Sequence, residues 1–359
     1  MKKIVSMTLY SDPRCQGGIE AFNRNLKKIY PDNLIMITEK TSKPKIYELK
    51  DVIEVGSENI FFRALNNRIL RNKLKEYLIL KKVKKNIENM VIFSFPHEVF
   101  LLKDIEAKKI MVQHTSFEHF IKEYCKNREN FIEIIKKTID YFVVLSPYEI
   151  EKFKLKFHLD KKKVKVIRHS SNIELLKTKK EKNKKLIMIG RIDNNSKRFD
   201  LAIRAMKKLP DFTLDIYGGI YNQKDINFLK KIIRDKNINN VFFRGITNEV
   251  QEKLDESGIY IMTSDYEGYG IVNIEAMRRG LPIVLRNTFD SAQDIVIDNG
   301  VLLEKEWDED KFVEAVKKVY DNYEYYSENS KKLGERHSPE VIKQEWDKLF
   351  KEIEIEEKN

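Results

Sequence analysis

Apolar residues along the chain gather in short runs, set apart by longer charged segments of helical character. In the first half the runs are Ile4–Leu9, Leu34–Ile37, Met90–Phe95, Ile110–Val112, Tyr141–Leu145 and Val164–Ile167. In the second half they are Leu186–Ile189, Phe212–Tyr217, Val241–Phe243, Ile259–Met262 and Ile283–Leu285. Apolar and β-branched runs this short, alternating with helices, predict parallel sheets covered on both faces. At 359 residues the chain is about twice a typical domain. The expectation is therefore an α/β protein of two doubly wound domains facing across a cleft, over residues 1–175 and 176–338, with a terminal segment 339–359. The polar stretch Lys177–Lys185 reads as their connection.

In open parallel sheets ligands bind beyond the carboxyl ends of the strands, so the residues following each run carry the interest. After Ile259–Met262 come Glu267-Gly268-Tyr269-Gly270 and then Ile271-Val272-Asn273-Ile274-Glu275. This reads as a glycine-bearing turn feeding a helix that opens near Ile271. Backbone N–H groups and the positive helix end together favour a phosphate there. Glu267 and Glu275 bracket the turn and can grip hydroxyl-rich groups on either side of that phosphate. A nucleotide-sugar has this layout.

Two further strand ends suit an anion. Gly17 and Gly18 follow the first run and precede a helix starting near Ile19, so backbone can approach a ligand closely there. Arg191 and Lys197 follow Leu186–Ile189, where both cations can meet a diphosphate, or else stand in a solvated loop. His114 follows Ile110–Val112 and can donate to a sugar hydroxyl, or serve as a satisfied structural histidine. His97 is a fainter candidate of the same kind. The acidic run Asp308-Glu309-Asp310 suits a helix start better than a metal, and no metal site or cofactor is expected.

Charge separates the two halves. Residues 1–172 hold 35 Lys and Arg against 21 Asp and Glu, whereas the remainder is nearly balanced. The first half thus faces an anionic membrane, a nucleic acid, or merely solvent. Basic clusters without interleaved aromatics argue against nucleic acid. Residues 61–90 carry nine Lys and Arg with loosely spaced apolar residues, which suits a membrane interface or a helix packed on its own sheet. Cys15 and Cys125 lack metal-type spacing and fit a reducing compartment. The apolar start is too short for a signal peptide and reads as a first strand. No run reaches the length of a membrane-spanning helix, and a cytoplasmic location is expected, with the basic half offered to the inner face of the membrane.

The chain resembles the retaining GT-B glycosyltransferases of family 4, a group that assembles bacterial surface polysaccharides. The residues carrying the resemblance are Gly17-Gly18-Ile19-Glu20, His114, Gly190-Arg191 with Lys197, Tyr217-Gly218-Gly219, Phe243-Arg244-Gly245, Glu267 through Met277, and Gly280-Leu281-Pro282. The ending from Pro339 resembles the family's terminal helix, which crosses back to the first domain. The resemblance implies two Rossmann-like domains and a hexose transferred from a UDP-sugar to a glycan or lipid-linked acceptor. Arg191 and Lys197 would neutralise the donor diphosphate, with Gly268, Tyr269, Gly270, Ile271 and Val272 around it. Glu275 would hold the ribose, Glu267 the donor sugar, and backbone near Ile246 the base. His114 would reach the sugar, and Gly17 and Gly18 would flank the phosphates. Glu267, His114, Arg191 and Lys197 would be the catalytic set. Arg198 stands where many relatives have glycine, and Asp294 where glutamate is usual, a departure read as an acceptor-side or base-side difference. The alternatives are a GT-B enzyme that is not a transferase, such as a hydrolysing nucleotide-sugar epimerase, and a non-catalytic partner subunit.

Overall fold

The computed structural model describes residues 3–55, 68–126 and 128–356, without the side chains of 68–76 and 161. The chain divides into two compact units, Met1–Ser170 with Lys343–Asn359, and Ser171–Ile342.

The first unit is a seven-stranded sheet, all parallel. Its strands are β1 (Ile4–Thr8), β2 (Leu34–Glu39), β3 (Val52–Val55), β4 (Met90–Phe93), β5 (Lys108–Val112), β6 (Tyr141–Val144) and β7 (Val164–Val166). Their order is β3-β2-β1-β4-β5-β6-β7, so the topological switch point lies between β1 and β4. β1, β4 and β6 are buried along their whole length, as strands covered on both faces must be. Phe120, Phe142, Phe153 and Phe157 stack against one another in this core, Phe142 and Phe153 with centroids 4.7 Å apart.

The second unit has six parallel strands. These are β8 (Lys185–Ile189), β9 (Thr213–Tyr217), β10 (Val241–Gly245), β11 (Ile259–Met262), β12 (Ile283–Arg286) and β13 (Gly300–Leu303). The order β10-β9-β8-β11-β12-β13 puts the switch point between β8 and β11. A separate core joins these strands to the helices Phe199–Ala205, Gln223–Asp235 and Glu309–Asp321. Asp308 caps the last of these, its carboxylate accepting from the amides of Asp310 (2.9 Å) and Lys311 (3.1 Å), so the acidic run serves a helix start.

Every expected strand is present, with ends moved by at most two residues. Two others, β3 and β13, were not expected. Both are edge strands, four residues long, and only the last residue of each is buried. The connection is also misplaced in the sequence reading. Lys177–Lys185 belongs to the second unit, where Lys180 is 5% exposed and its ammonium donates to the carbonyls of Leu254 and Asp255. Of the basic segment 61–90, residues 61–67 lie outside the described residues. Arg68–Asn86 is helical, and Ile79 and Val83 are buried in the first core. Among the described residues no helix is long and apolar enough to cross a membrane.

Candidate active site

Four of the expected residues stand after the two strands that flank the switch point of the second sheet. The loop after β8 carries Arg191 and Lys197, and the loop after β11 carries Glu267 and leads into the helix Ile271–Arg278 with Glu275. The two loops are tied by backbone. The Asp265 amide donates to the Ser196 carbonyl at 2.8 Å, and Thr263 Oγ1 lies 3.1 and 2.9 Å from the carbonyls of Lys197 and Arg198. The Lys197 ammonium is thereby delivered to Glu267 Oε1, with which it forms an ion pair. Ser264 Oγ donates to the same oxygen at 3.2 Å. Neither side chain is far into solvent, at 23% and 14% exposure, so the pair is less screened than a surface one.

Gly270 caps the helix Ile271–Arg278 with φ of 73°. A Cβ there would stand 2.6 Å from Asn273 Nδ2, which itself donates to the Tyr269 carbonyl at 2.8 Å. Glycine is therefore required twice over, for the backbone angle and for the space. Glu275 is half-buried one turn into this helix. The buried Tyr260 hydroxyl on β11 is held well above its ordinary pKa, first by burial and then by the negative charge of Glu267 and Glu275. Both carboxylates thus bear on one spot beside the strand end.

Arg191 is more open. Its side chain is 59% exposed, lies over the Tyr221 ring at 4.4 Å, and donates to Asp193 Oδ2 at 3.1 Å. The carbonyl of Gly190 sits so close to Gly218 that a Cβ on Gly218 would come within 1.8 Å of it. That contact packs the end of β8 against the end of β9 and requires glycine at position 218. Ile246 follows β10, 61% exposed, with its side chain beside Gly219.

Arg198 has φ of 50°, the left-handed region that favours glycine. Its guanidinium is anchored by Asp200 (3.0 Å) and Asp265 (3.3 Å), and Asp265 also pairs with Arg286. The loop holding Lys197 is therefore braced by charges on three neighbouring segments.

Tyr269 turns its side chain into the core. Its side chain is 1% exposed, and its hydroxyl donates to Asp294 Oδ2 (2.9 Å) and accepts from Arg336 Nη2 (2.9 Å), with His337 Nε2 at 3.3 Å. A donor can therefore meet only the backbone of this residue. Asp294, read as an acceptor-side or base-side departure, is instead a buried partner of Tyr269 and Arg336.

In the first unit, Gly17 and Gly18 follow β1 and open the helix Gly18–Ile29. A Cβ on Gly17 would meet Glu20 Oε2 at 2.1 Å, whereas one on Gly18 would meet nothing within 4 Å. His114 follows β5, half-buried, with Nε2 3.1 Å from Ser94 Oγ and its ring stacked on His169 at 5.3 Å. Its Nδ1, shielded from solvent, has no hydrogen-bond partner among the described residues. Burial, then the neighbouring His169, holds the ring well below the ordinary histidine pKa, so it is neutral at pH 7. His97 packs 4.2 Å from Tyr10 across the switch point of this sheet, and burial lowers its pKa as well.

Ser264, Thr263, Asp193 and Tyr221 escaped the sequence reading. Each touches or orients a charged residue that was singled out, yet a lone hydroxyl, carboxylate or ring near a strand end carries no spacing signal.

Residues 173–336 match the family Glycosyl transferases group 1. The second half of the chain is thus similar to a glycosyl transferase group 1 domain. The full chain is similar to an uncharacterised glycosyltransferase of Haemophilus influenzae, 26% identical over 319 residues, which cover 82% of this chain and 88% of that protein. A poly(glycerol-phosphate) alpha-glucosyltransferase of Bacillus subtilis is 30% identical over 156 residues, 42% of this chain but 22% of that protein. Among solved structures, HepE of Anabaena in complex with UDP and glucose aligns with a TM-score of 0.78 at 14% identity, over 98% of this chain and all of that one. The fold is GT-B.

Proposed function

We propose that the chain is a retaining glycosyltransferase of family 4 that moves a hexose from a UDP-sugar to a glycan or lipid-linked acceptor in cell-envelope polysaccharide synthesis. The observation that carries this reading is the Lys197–Glu267 pair at the switch point of the second sheet, beside the glycine-capped helix of Glu275. The names of the Bacillus relative and of HepE with UDP and glucose support the same chemistry.

In this reading the sugar–diphosphate bond breaks with oxocarbenium character while the acceptor hydroxyl attacks the same face. The hydroxyl proton passes to the departing diphosphate. Arg191 and Lys197 offset the charge that builds on that leaving group, together with the amides of Gly270, Ile271 and Val272 and the turn Gly268-Tyr269. Each such contact contributes about 2.7–4 kcal/mol in the transition state. Cations of the protein fill the role that a metal fills in other transferases. Glu275 takes the ribose hydroxyls, Glu267 a hydroxyl of the donor sugar, and backbone at Ile246 the base. On the first unit, His114 is assigned to a sugar hydroxyl and the glycine pair Gly17-Gly18 to the phosphates.

The test is a panel of nucleotide-sugars scored for nucleotide release with and without membrane extract. Release from a UDP-sugar that depends on the extract, with labelled sugar recovered on an acceptor, supports the proposal. Free sugar or epimerised nucleotide-sugar as the product makes the chain a non-transferase, and failure to bind any nucleotide diphosphate by calorimetry makes it a non-catalytic partner.

A further inference from the structure

Beside the turn that carries Lys197, the second unit has an open hollow of about 540 Å³, within the size range of small-ligand sites. Its lining comes from three segments: the turn 194–200 after β8, the start of the helix Gln223–Asp235, and Asp265 after β11. Arg191, Lys197, Glu267 and Glu275 do not line it.

The walls are fixed by bonds already made. Asp225 accepts from the Asn194 amide at 3.0 Å and from Asn222 Nδ2 at 2.8 Å, and Asn194 Oδ1 accepts from the Asp200 amide at 3.0 Å. Asp200 and Asp265 are both paired with Arg198, and Asp265 with Arg286 as well. Every carboxylate of the hollow is thus committed. Lys224 and Arg198, with Arg286 on Asp265, balance the three carboxylates, so the hollow as a whole is neutral.

Some polar groups are left over. Asn194 Nδ2, the side-chain amide of Asn195 and the Lys224 ammonium have no hydrogen-bond or ion-pair partner among the described residues. With them stands the Phe228 ring, 44% exposed, off the face of Ile226, Leu229 and Ile232 that its helix buries. An apolar ring face next to fixed groups that both donate and accept suits a sugar. Hydroxyls need both roles, and the C–H face of a pyranose covers an aromatic one. Other ligands fit less well. An anion or a nucleic acid needs surplus positive charge, a divalent cation needs uncommitted carboxylates, and an apolar peptide needs a row of apolar anchors.

We infer that this hollow is a second saccharide site, separate from the proposed donor site. It holds a neutral oligosaccharide by the Phe228 face and the amides of Asn194 and Asn195, with the Lys224 ammonium donating to a hydroxyl. That the oligosaccharide belongs to the glycan being extended rests on the proposed function; the site itself does not.

The experiment is calorimetric titration of the full chain with maltotriose, cellotriose and tri-N-acetylchitotriose. At least one of them is expected to bind, and the double change Asn195→Ala, Phe228→Ala to weaken that binding about tenfold. Both side chains are exposed, so the variant should keep the urea midpoint of the parent. Tyr325→Ala, which removes another exposed ring of the same unit, is expected to bind the sugar as the parent does. The inference fails if none of the trisaccharides binds, if the double variant binds as the parent does, or if Tyr325→Ala loses binding equally. Displacement of the sugar by millimolar phosphate or calcium at constant ionic strength overturns it as well, because the hollow is then an ion site. Trisaccharide binding that the double variant loses, in a chain that releases no nucleotide, leaves the site intact and removes only the transferase reading.

Discussion

The ammonium of Lys197 is bonded to the carboxylate of Glu267, a residue seventy positions along the chain on the far side of the switch point. Under the proposed function the two have different duties, one to the diphosphate and one to the sugar, so a donor must compete with the pair.

Substitutions at the pair should therefore act in opposite directions on UDP. Glu267→Gln releases Lys197 for the diphosphate and is expected to tighten UDP binding several-fold while sugar transfer falls. Lys197→Ala is expected to weaken UDP binding and lower kcat about 10²–10³-fold, and Glu275→Ala to lose most transfer through the ribose contact. Calorimetry with UDP and turnover with the active donor separate these cases. Near-normal turnover in Lys197→Ala or Glu275→Ala would sink the site assignment.

Arg198 occupies a glycine conformation, stabilised by carboxylates on either side. Arg198→Ala keeps the backbone strain and loses the ion pairs, whereas Arg198→Gly loses the pairs and relieves the strain. The glycine variant should be more stable than the alanine variant by about 1 kcal/mol, seen as a higher urea midpoint. The reverse order would mean that the backbone angle does not decide this position.

Tyr269→Phe removes a hydroxyl shared by Asp294 and Arg336 in a buried network. The expected cost is about 1–3 kcal/mol of stability, with the Kd for UDP unchanged within about twofold, because only the backbone of Tyr269 faces the proposed donor. A tenfold change in that Kd without a stability loss would place the side chain in the donor site.

His169 is buried against Phe22 and His114, and burial depresses its pKa from 6.5 to about 3. The unfolded chain takes up this proton near pH 6.5, while the folded one resists until about pH 3. The stability from the neutral ring is therefore complete above pH 6.5 and lost progressively as pH falls toward 3, amounting to about 2 kcal/mol by pH 5. His114 acts in the same direction. Urea denaturation followed at pH 7.5 and pH 5 should show this loss in the parent and a smaller one in His169→Phe.

The strands buried on both faces, such as β4 and β6, were legible because burial from both sides leaves an unbroken apolar run in the sequence. β3 and β13 were not, since each pairs with one neighbour and Val52-Ile53-Glu54-Val55 is interrupted by an exposed-type residue. The connection was misplaced because contacts such as that of Lys180, whose charge meets two carbonyls, leave no sequence pattern. At the candidate site, Lys197, Glu267 and Glu275 could be singled out from spacing because the turn and helix start are local. The burial of Tyr269 was hidden because its partners Asp294, Arg336 and His337 come from distant segments. The left-handed conformation at position 198 shows only in the φ of Arg198.

The stitching of the two loops in the second unit has a mechanical consequence. Thr263 and Asp265 hold the carbonyls of Ser196, Lys197 and Arg198, so the segment bearing Lys197 is not free to swing as a lid. Only the distal carbons of the lysine side chain have room to adjust. The cation that would meet a diphosphate is thus registered to β11 as firmly as to its own strand, and its aim is set before any ligand arrives.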